Sequence, residues 1–120
     1  VYAVFGDNAV KIPEGKLKKF VSDSHIGKDV IMGIRPENIH DEEIFLSNAP
    51  DSTINVAVEI VELMGSETYL YLKTSGKDDN IIARVDPRST ARGGDKIKVA
   101  FDANRLHFFD AETFNTILNR

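Results

Sequence analysis

The chain has 120 residues, 42% of them hydrophobic and 28% charged, with 15 Lys plus Arg against 19 Asp plus Glu, a net charge of −4. That length suits one domain able to bury roughly 65% of the surface its unfolded chain exposes, and no apolar run approaches the ~18 residues a membrane-spanning helix needs. The negative balance repels phosphate backbones and works against nucleic-acid binding. The absence of cysteine rules out disulfides, thiolate catalysis and thiolate metal sites and fits a reducing compartment. Beginning at Val1 rather than Met, the sequence is expected to be a piece of a longer protein.

Taken in order, Tyr2 to Phe5 alternates weakly, turns at Gly6-Asp7-Asn8 and returns as Ala9 to Ile12, a short hairpin. Lys16 to Val21 places Leu17, Phe20 and Val21 at helical spacing, predicting a short amphipathic helix that plugs one end of a sheet. After the turn Gly27-Lys28-Asp29, the apolar run Val30 to Ile34 suits a strand buried on both faces; Arg35-Pro36 ends it, because proline donates no ladder bond. Glu37 to Asp51 is polar and acidic and reads as a surface excursion.

The organising stretch is Thr53 to Lys73. Ile54, Val56, Val58 and Ile60 recur at every second position, the pattern of a strand with one buried face. Met64-Gly65-Ser66-Glu67 makes a corner, and Tyr69 to Leu72 returns as a strand apolar on both faces. Gly76 to Asn80 is a charged turn, and Ile81 to Val85 is a strand stopping at Asp86-Pro87-Arg88. Ile97, Val99 and Phe101 alternate with polar or small neighbours, Leu106 to Phe109 is a last strand, and Asp110 is placed to cap a helix from Ala111 to Leu118 with Phe114 and Ile117 inward. Short strands at regular intervals with two short helices predict a mainly β fold, a small antiparallel OB-like barrel or sandwich.

Arg35-Pro36-Glu37 reads as a turn whose arginine and glutamate pair locally, or whose Arg35 braces backbone carbonyls with its planar fork of donors. Asp86 and Arg88 around Pro87 read as a rigid turn. Gly65 and Ser66 make a corner that a β-branched residue would strain, with Glu67 beside them as an interface contact. His40 next to Asp41-Glu42-Glu43 invites a metal reading, but three consecutive carboxylates cannot converge on one ion, so a solvated face is expected. Tyr69 and Tyr71 share a strand face as base-stacking residues do, yet the charge balance favours packing or subunit contact. No grouping of Ser, His and Asp, and no paired carboxylates, call for catalysis.

Four stretches carry a resemblance: Gly33-Ile34-Arg35-Pro36-Glu37-Asn38-Ile39, Glu62 to Tyr71, Ala83-Arg84-Val85-Asp86-Pro87-Arg88-Ser89, and His107 to Thr113. Spanning about residues 28 to 113, they resemble, in order, the C-terminal regulatory domain of ATP-binding subunits of maltose-type and multiple-sugar-type ABC importers. The resemblance implies a transport-associated OB (TOBE) barrel over residues 1–120, fused behind an ATPase domain that this chain does not contain. Implied partners are a second copy of itself, its own ATPase domain, permease subunits reached through that domain, and in some members a regulatory protein. The implied location is the cytoplasmic face of the membrane. ATP and magnesium would belong to the parent subunit, and no cofactor, metal or nucleic acid to this stretch. The residues singled out as regulatory or interface candidates, or as structural corners, are Arg35, Pro36, Glu37, Gly65, Ser66, Glu67, Asp86 and Arg88.

A phosphate-cradling loop requires G-x-x-x-x-G-K followed by Ser or Thr. Gly15-Lys16 is followed by Leu17 and lacks the leading glycine at Val10; Gly27-Lys28 is followed by Asp29 with Ser22 leading; Gly76-Lys77 is followed by Asp78 with Tyr71 leading. The chain is therefore not expected to hydrolyse ATP. An alternative of another class is a small-ligand sensor, since relatives of this barrel type bind oxyanions such as molybdate.

Overall fold

The computed structural model describes residues 1–17 and 25–117. Their strands are β1 (Tyr2–Phe5), β2 (Asn8–Lys11), β3 (Val30–Gly33), β4 (Ile39–His40), β5 (Thr53–Leu63), β6 (Thr68–Lys73), β7 (Ile81–Val85), β8 (Lys96–Phe101) and β9 (His107–Asp110), with short helices α1 (Glu14–Leu17) and α2 (Glu43–Asn48). One antiparallel sheet runs in the order β4-β8-β5-β6-β7. Its edge strands β4 and β7 also lie side by side, so the sheet curls into the nearly closed barrel that the alternation predicts. The two edges face each other without a shared ladder, so near-closure shields them from pairing rather than removing them.

The barrel interior is filled from alternate positions of these strands: Ile54, Val56 and Val58 from β5, Leu70 and Leu72 from β6, Ala83 and Val85 from β7, Val99 and Phe101 from β8, and Ile39 from β4. Burying each larger member contributes roughly 1.5–3 kcal/mol.

The β1–β2 hairpin covers one end. It buries Val10 and Ile12, and Phe5 stacks on Phe101 with ring centroids 6.4 Å apart. Its tip is tied down by polar bonds. The Asn8 amide donates to Thr74 Oγ1 (2.9 Å) and to the Ser75 carbonyl (3.0 Å), and the Asp7 amide donates to Ser75 Oγ (3.0 Å). The expected helix over 16–21 falls mostly outside the described residues, which show only the single turn α1. A second ribbon, β3 paired with β9 from Val30↔Asp110 to Gly33↔His107, brings the fully buried Phe108 to the core.

Four expectations are corrected. The run Val30 to Ile34 forms a two-stranded ribbon, so it is only half-buried and Ile31 is exposed; continuous apolar sequence does not by itself place a strand between two layers. The stretch from Glu37 to Asp51 is structured: a 3-10 turn at Pro36–Asn38, then β4 with buried Ile39, then α2, whose Phe45 stacks on His40 with centroids 4.0 Å apart. Residues 111–117 form turns instead of a helix. The Asp110 carboxylate does accept the Glu112 and Thr113 amides (2.8 and 2.9 Å), but Phe114 then takes φ 62° and is 69% exposed, while Ile117 returns to bond the Phe108 carbonyl and bury beside β9. A segment this short, with Thr113 and Asn115 in it, does not repay helix nucleation, and a local side-chain bond competes successfully. Leu118 lies outside the described residues.

The fourth correction bears on function. Ile60 does not continue the inward series of Ile54, Val56 and Val58 but points outward, 54% exposed. A register shift between Val58 and Ile60 inserts one residue where β5 leaves β8 and continues along β6 alone. The Asp95 carbonyl and the Gly94 amide both bond the backbone of Val58 there (2.8 and 2.7 Å). Such a bulge reverses the facing of everything beyond it: Val61 turns inward, and Ile60 and Glu62 outward.

The C-terminal turn carries a pH dependence. His25 Nε2 lies 2.8 Å from Asp110 Oδ2, and this hydrogen bond, with those from the Thr113 and Glu112 amides, holds the Asp110 carboxyl well below the usual carboxylate range. A depressed folded-state value contributes stability that is complete above the unfolded carboxylate value of about 3.9 and is lost as pH falls below it. Replacing Asp110 with Asn is therefore expected to flatten the acid limb of stability below about pH 4 while costing stability at neutral pH, read by thermal unfolding across pH. An unchanged acid limb in that variant would show that the His25–Asp110 contact does not form in solution.

Candidate interaction surface

The outward residues of β5, β6 and β7 line up across the sheet because directly paired residues in antiparallel strands share a face. Ile60 pairs with Tyr71, which pairs with Ile82; the next row is Glu62, Tyr69 and Arg84. Ile60 is 54% and Ile82 39% exposed, and at the hairpin tip Leu63 and Met64 are also exposed. The result is an apolar row on a barrel wall, bordered by charge. Its borders are internally neutralised: Lys73 Nζ lies 3.6 Å from Glu59 Oε1, and Arg84 Nε 3.3 Å from Glu67 Oε2. Tyr69 donates its hydroxyl to Glu67 at 3.2 Å and Tyr71 to Glu62 at 3.5 Å.

The residues singled out from sequence surround β7. Gly65 sits at the tip at φ 84°, with the Met64 amide bonding the Glu67 carbonyl (2.9 Å) and the Ser66 amide the Met64 carbonyl (3.1 Å). Gly65 and Ser66 thus make the corner, and Glu67 reaches β7 through Arg84. Just beyond the same end of β7, where Val85 pairs with Thr68, Arg88 donates its amide and Nε to Asp86 Oδ1 (2.8 and 2.9 Å) and Nη2 to Oδ2 (3.2 Å). These bonds hold the Asp86 carboxyl below its ordinary value and raise Arg88, yet Arg88 is 89% exposed. The pair is a clip for the turn around Pro87. Ser89 next to it donates to Asp41 Oδ2 at 2.6 Å, fastening the turn to the residue that follows β4.

Arg35 is extended at φ −80°, ψ 149°, and its carbonyl caps the Pro36–Asn38 turn by accepting the Asn38 amide at 2.9 Å. That turn packs beside β7, with Glu37 exposed. The Arg35–Glu37 pair and the Arg35 brace expected from sequence do not form among the described residues. His40 meets Glu42 at 3.3 Å and the face of Phe45, which accounts for its place beside the acidic triplet.

Sequence reasoning took Tyr69 and Tyr71 together but missed the aliphatic row that completes their face. The available signal was Ile60-Val61, two adjacent apolar residues interrupting a strict alternation, which marks a bulge.

Residues 32–109 match the TOBE domain family. The chain is 45% identical over 108 residues to the oligosaccharides import ATP-binding protein MsmX of Bacillus subtilis, covering 90% of this chain and 29% of that protein. It is 40% identical over 104 residues to the multiple sugar-binding transport ATP-binding protein MsmK of Streptococcus mutans, covering 87% and 27%. Over 114 residues it is 30% identical to the trehalose/maltose import ATP-binding protein MalK of Thermococcus litoralis, covering 94% and 30%. The chain thus spans about three-tenths of the length of these relatives. With a family match across the barrel from β3 to β9, carried on the OB-like architecture described above, the chain belongs to the TOBE domain family.

Proposed function

We propose that this chain is the non-catalytic regulatory and dimer-contact domain of an ATP-binding subunit of a carbohydrate ABC importer, and that it works by holding a second copy of itself. Support for the parentage is its likeness to sugar-import ATP-binding proteins. ATP and magnesium would be handled by the linked ATPase domain, the permease would be reached through that domain, and the assembly would sit on the cytoplasmic face of the membrane. A regulatory protein would act by competing for the same contact.

The observation that carries the contact reading is the exposed row Ile60, Tyr71 and Ile82. Its arrangement is self-complementary. A two-fold axis running along β6 between two copies lays Ile60 over the second copy's Ile82, Tyr71 over Tyr71, and Glu62 over Arg84. A contact of this kind biases the separation of whatever each barrel is linked to, because a partner shifts a conformational equilibrium by its differential affinity for the two states.

Sedimentation equilibrium of the chain tests this. A reversible dimer with a dissociation constant on the order of 10–1000 μM is expected, as for a contact well below the standard interface size. A strict monomer at millimolar concentration would refute the reading.

A further inference from the structure

Away from the apolar row, β4, α2 and the turn after β8 enclose an open groove of about 600 Å³ whose chemistry the contact reading does not use. Arg35 enters it from the end of β3, Arg105 from the 3-10 turn Ala103–Arg105, and His107 from the start of β9. In a chain with a net charge of −4, a groove lined by Lys16, Arg35 and Arg105 against Glu37 and Asp102 runs against the average. The guanidiniums of Arg35 and Arg105 are also uncommitted. Whereas Arg84 and Arg88 are engaged with Glu67 and Asp86, the side chains of Arg35 and Arg105 enter no hydrogen bond or ion pair among the described residues.

The same groove is lined by acceptors and by an apolar surface. Glu37, Asp102 and Asn104 border it, and half-buried Phe45 forms part of its wall. The mixture discriminates among ligands. Two carboxylates in the groove repel a polyphosphate or nucleic-acid backbone. A single phosphate alone would use the arginines and leave the carboxylates facing it. A molecule that presents one phosphate and several hydroxyls satisfies both sets: planar guanidiniums take phosphate oxygens, carboxylates and amides take hydroxyl protons, and an aromatic side chain takes the C–H face of a ring.

We propose that this groove binds a phosphorylated sugar, with Arg35 and Arg105 on the phosphate and Glu37, Asp102 and Asn104 on the hydroxyls. Occupancy would link the end of β3, the Pro36–Asn38 turn and the segment after β8. The proposal is independent of self-association.

Calorimetric titration of the chain with glucose 6-phosphate, and separately with inorganic phosphate and with glucose, tests it. Saturable binding of the sugar phosphate is expected, at least about tenfold tighter than inorganic phosphate, with no binding of glucose. Arg35→Gln and Arg105→Gln, both at exposed positions, are each expected to weaken it about 10- to 100-fold, the loss of one charge-assisted hydrogen-bonded group, with an unchanged melting temperature. No heat from the sugar phosphate up to about 10 mM overturns the proposal. So does equal affinity for inorganic phosphate, which would mean a plain anion site, or binding that both variants leave intact.

Discussion

Gly76→Ala is expected to lower the melting temperature by roughly 12–20 °C, whereas Gly65→Ala, at the same backbone angle, lowers it by only about 4–8 °C. Both glycines have φ 84°, where any side chain is strained, costing about 1–2 kcal/mol. Their surroundings differ. A Cβ on Gly65 meets nothing, but one on Gly76 falls inside the van der Waals radii of the Gly6 and Phe5 backbones. Backbone cannot rotate away as a side-chain end can. The β1–β2 hairpin must then retreat from the β6–β7 turn, stretching the Asn8 bonds to Thr74 and Ser75 and loosening Phe5 from Phe101. Strain, overpacking and lost bonds together come to about 3–5 kcal/mol, and at about 4 °C per kcal/mol for a domain of this size the two variants separate clearly in a thermal scan. Equal shifts for the two would mean that the hairpin is not docked at this end of the barrel.

The barrel was legible because most of its strands are patterned to be half-buried. Thr53 to Lys73 shows a period-2 signal interrupted by one corner, and Ile81 to Val85 and Lys96 to Phe101 carry the same period. Elements held by a single long-range contact were not legible. β4 is two residues long, so no periodicity can announce it; it exists because Ile39 fills the gap between β8 and β7. Residues 111–117 carried helical spacing in Phe114 and Ile117, but the Asp110 carboxylate and the return of Ile117 to β9 outcompete it. Of the candidate site, the corners at Gly65 and at Asp86–Arg88 could be read from turn chemistry. The exposed apolar row could not, because it depends on a bulge at Glu59 whose cause, the crossing turn at Gly94 and Asp95, lies far away in sequence.

That row also yields the second large effect. Placing glutamate at both Ile60 and Ile82 puts four carboxylates into the proposed two-fold contact, each opposite another, since that contact would lay Ile60 of one copy over Ile82 of the second, given their shared row. A buried charge left without a partner costs several kcal/mol, and directly opposed like charges add to it, so the dimer should weaken by about 100-fold or more. Both positions are solvent-exposed in the single chain, so the barrel itself should keep its melting temperature to within a few degrees.

Sedimentation equilibrium of the Ile60→Glu, Ile82→Glu chain beside the unaltered one tests most directly whether the outer wall of β5, β6 and β7 is a contact face. A folded monomer is expected for the variant at concentrations where the unaltered chain is dimeric. A variant that dimerises as readily as the unaltered chain would contradict that role.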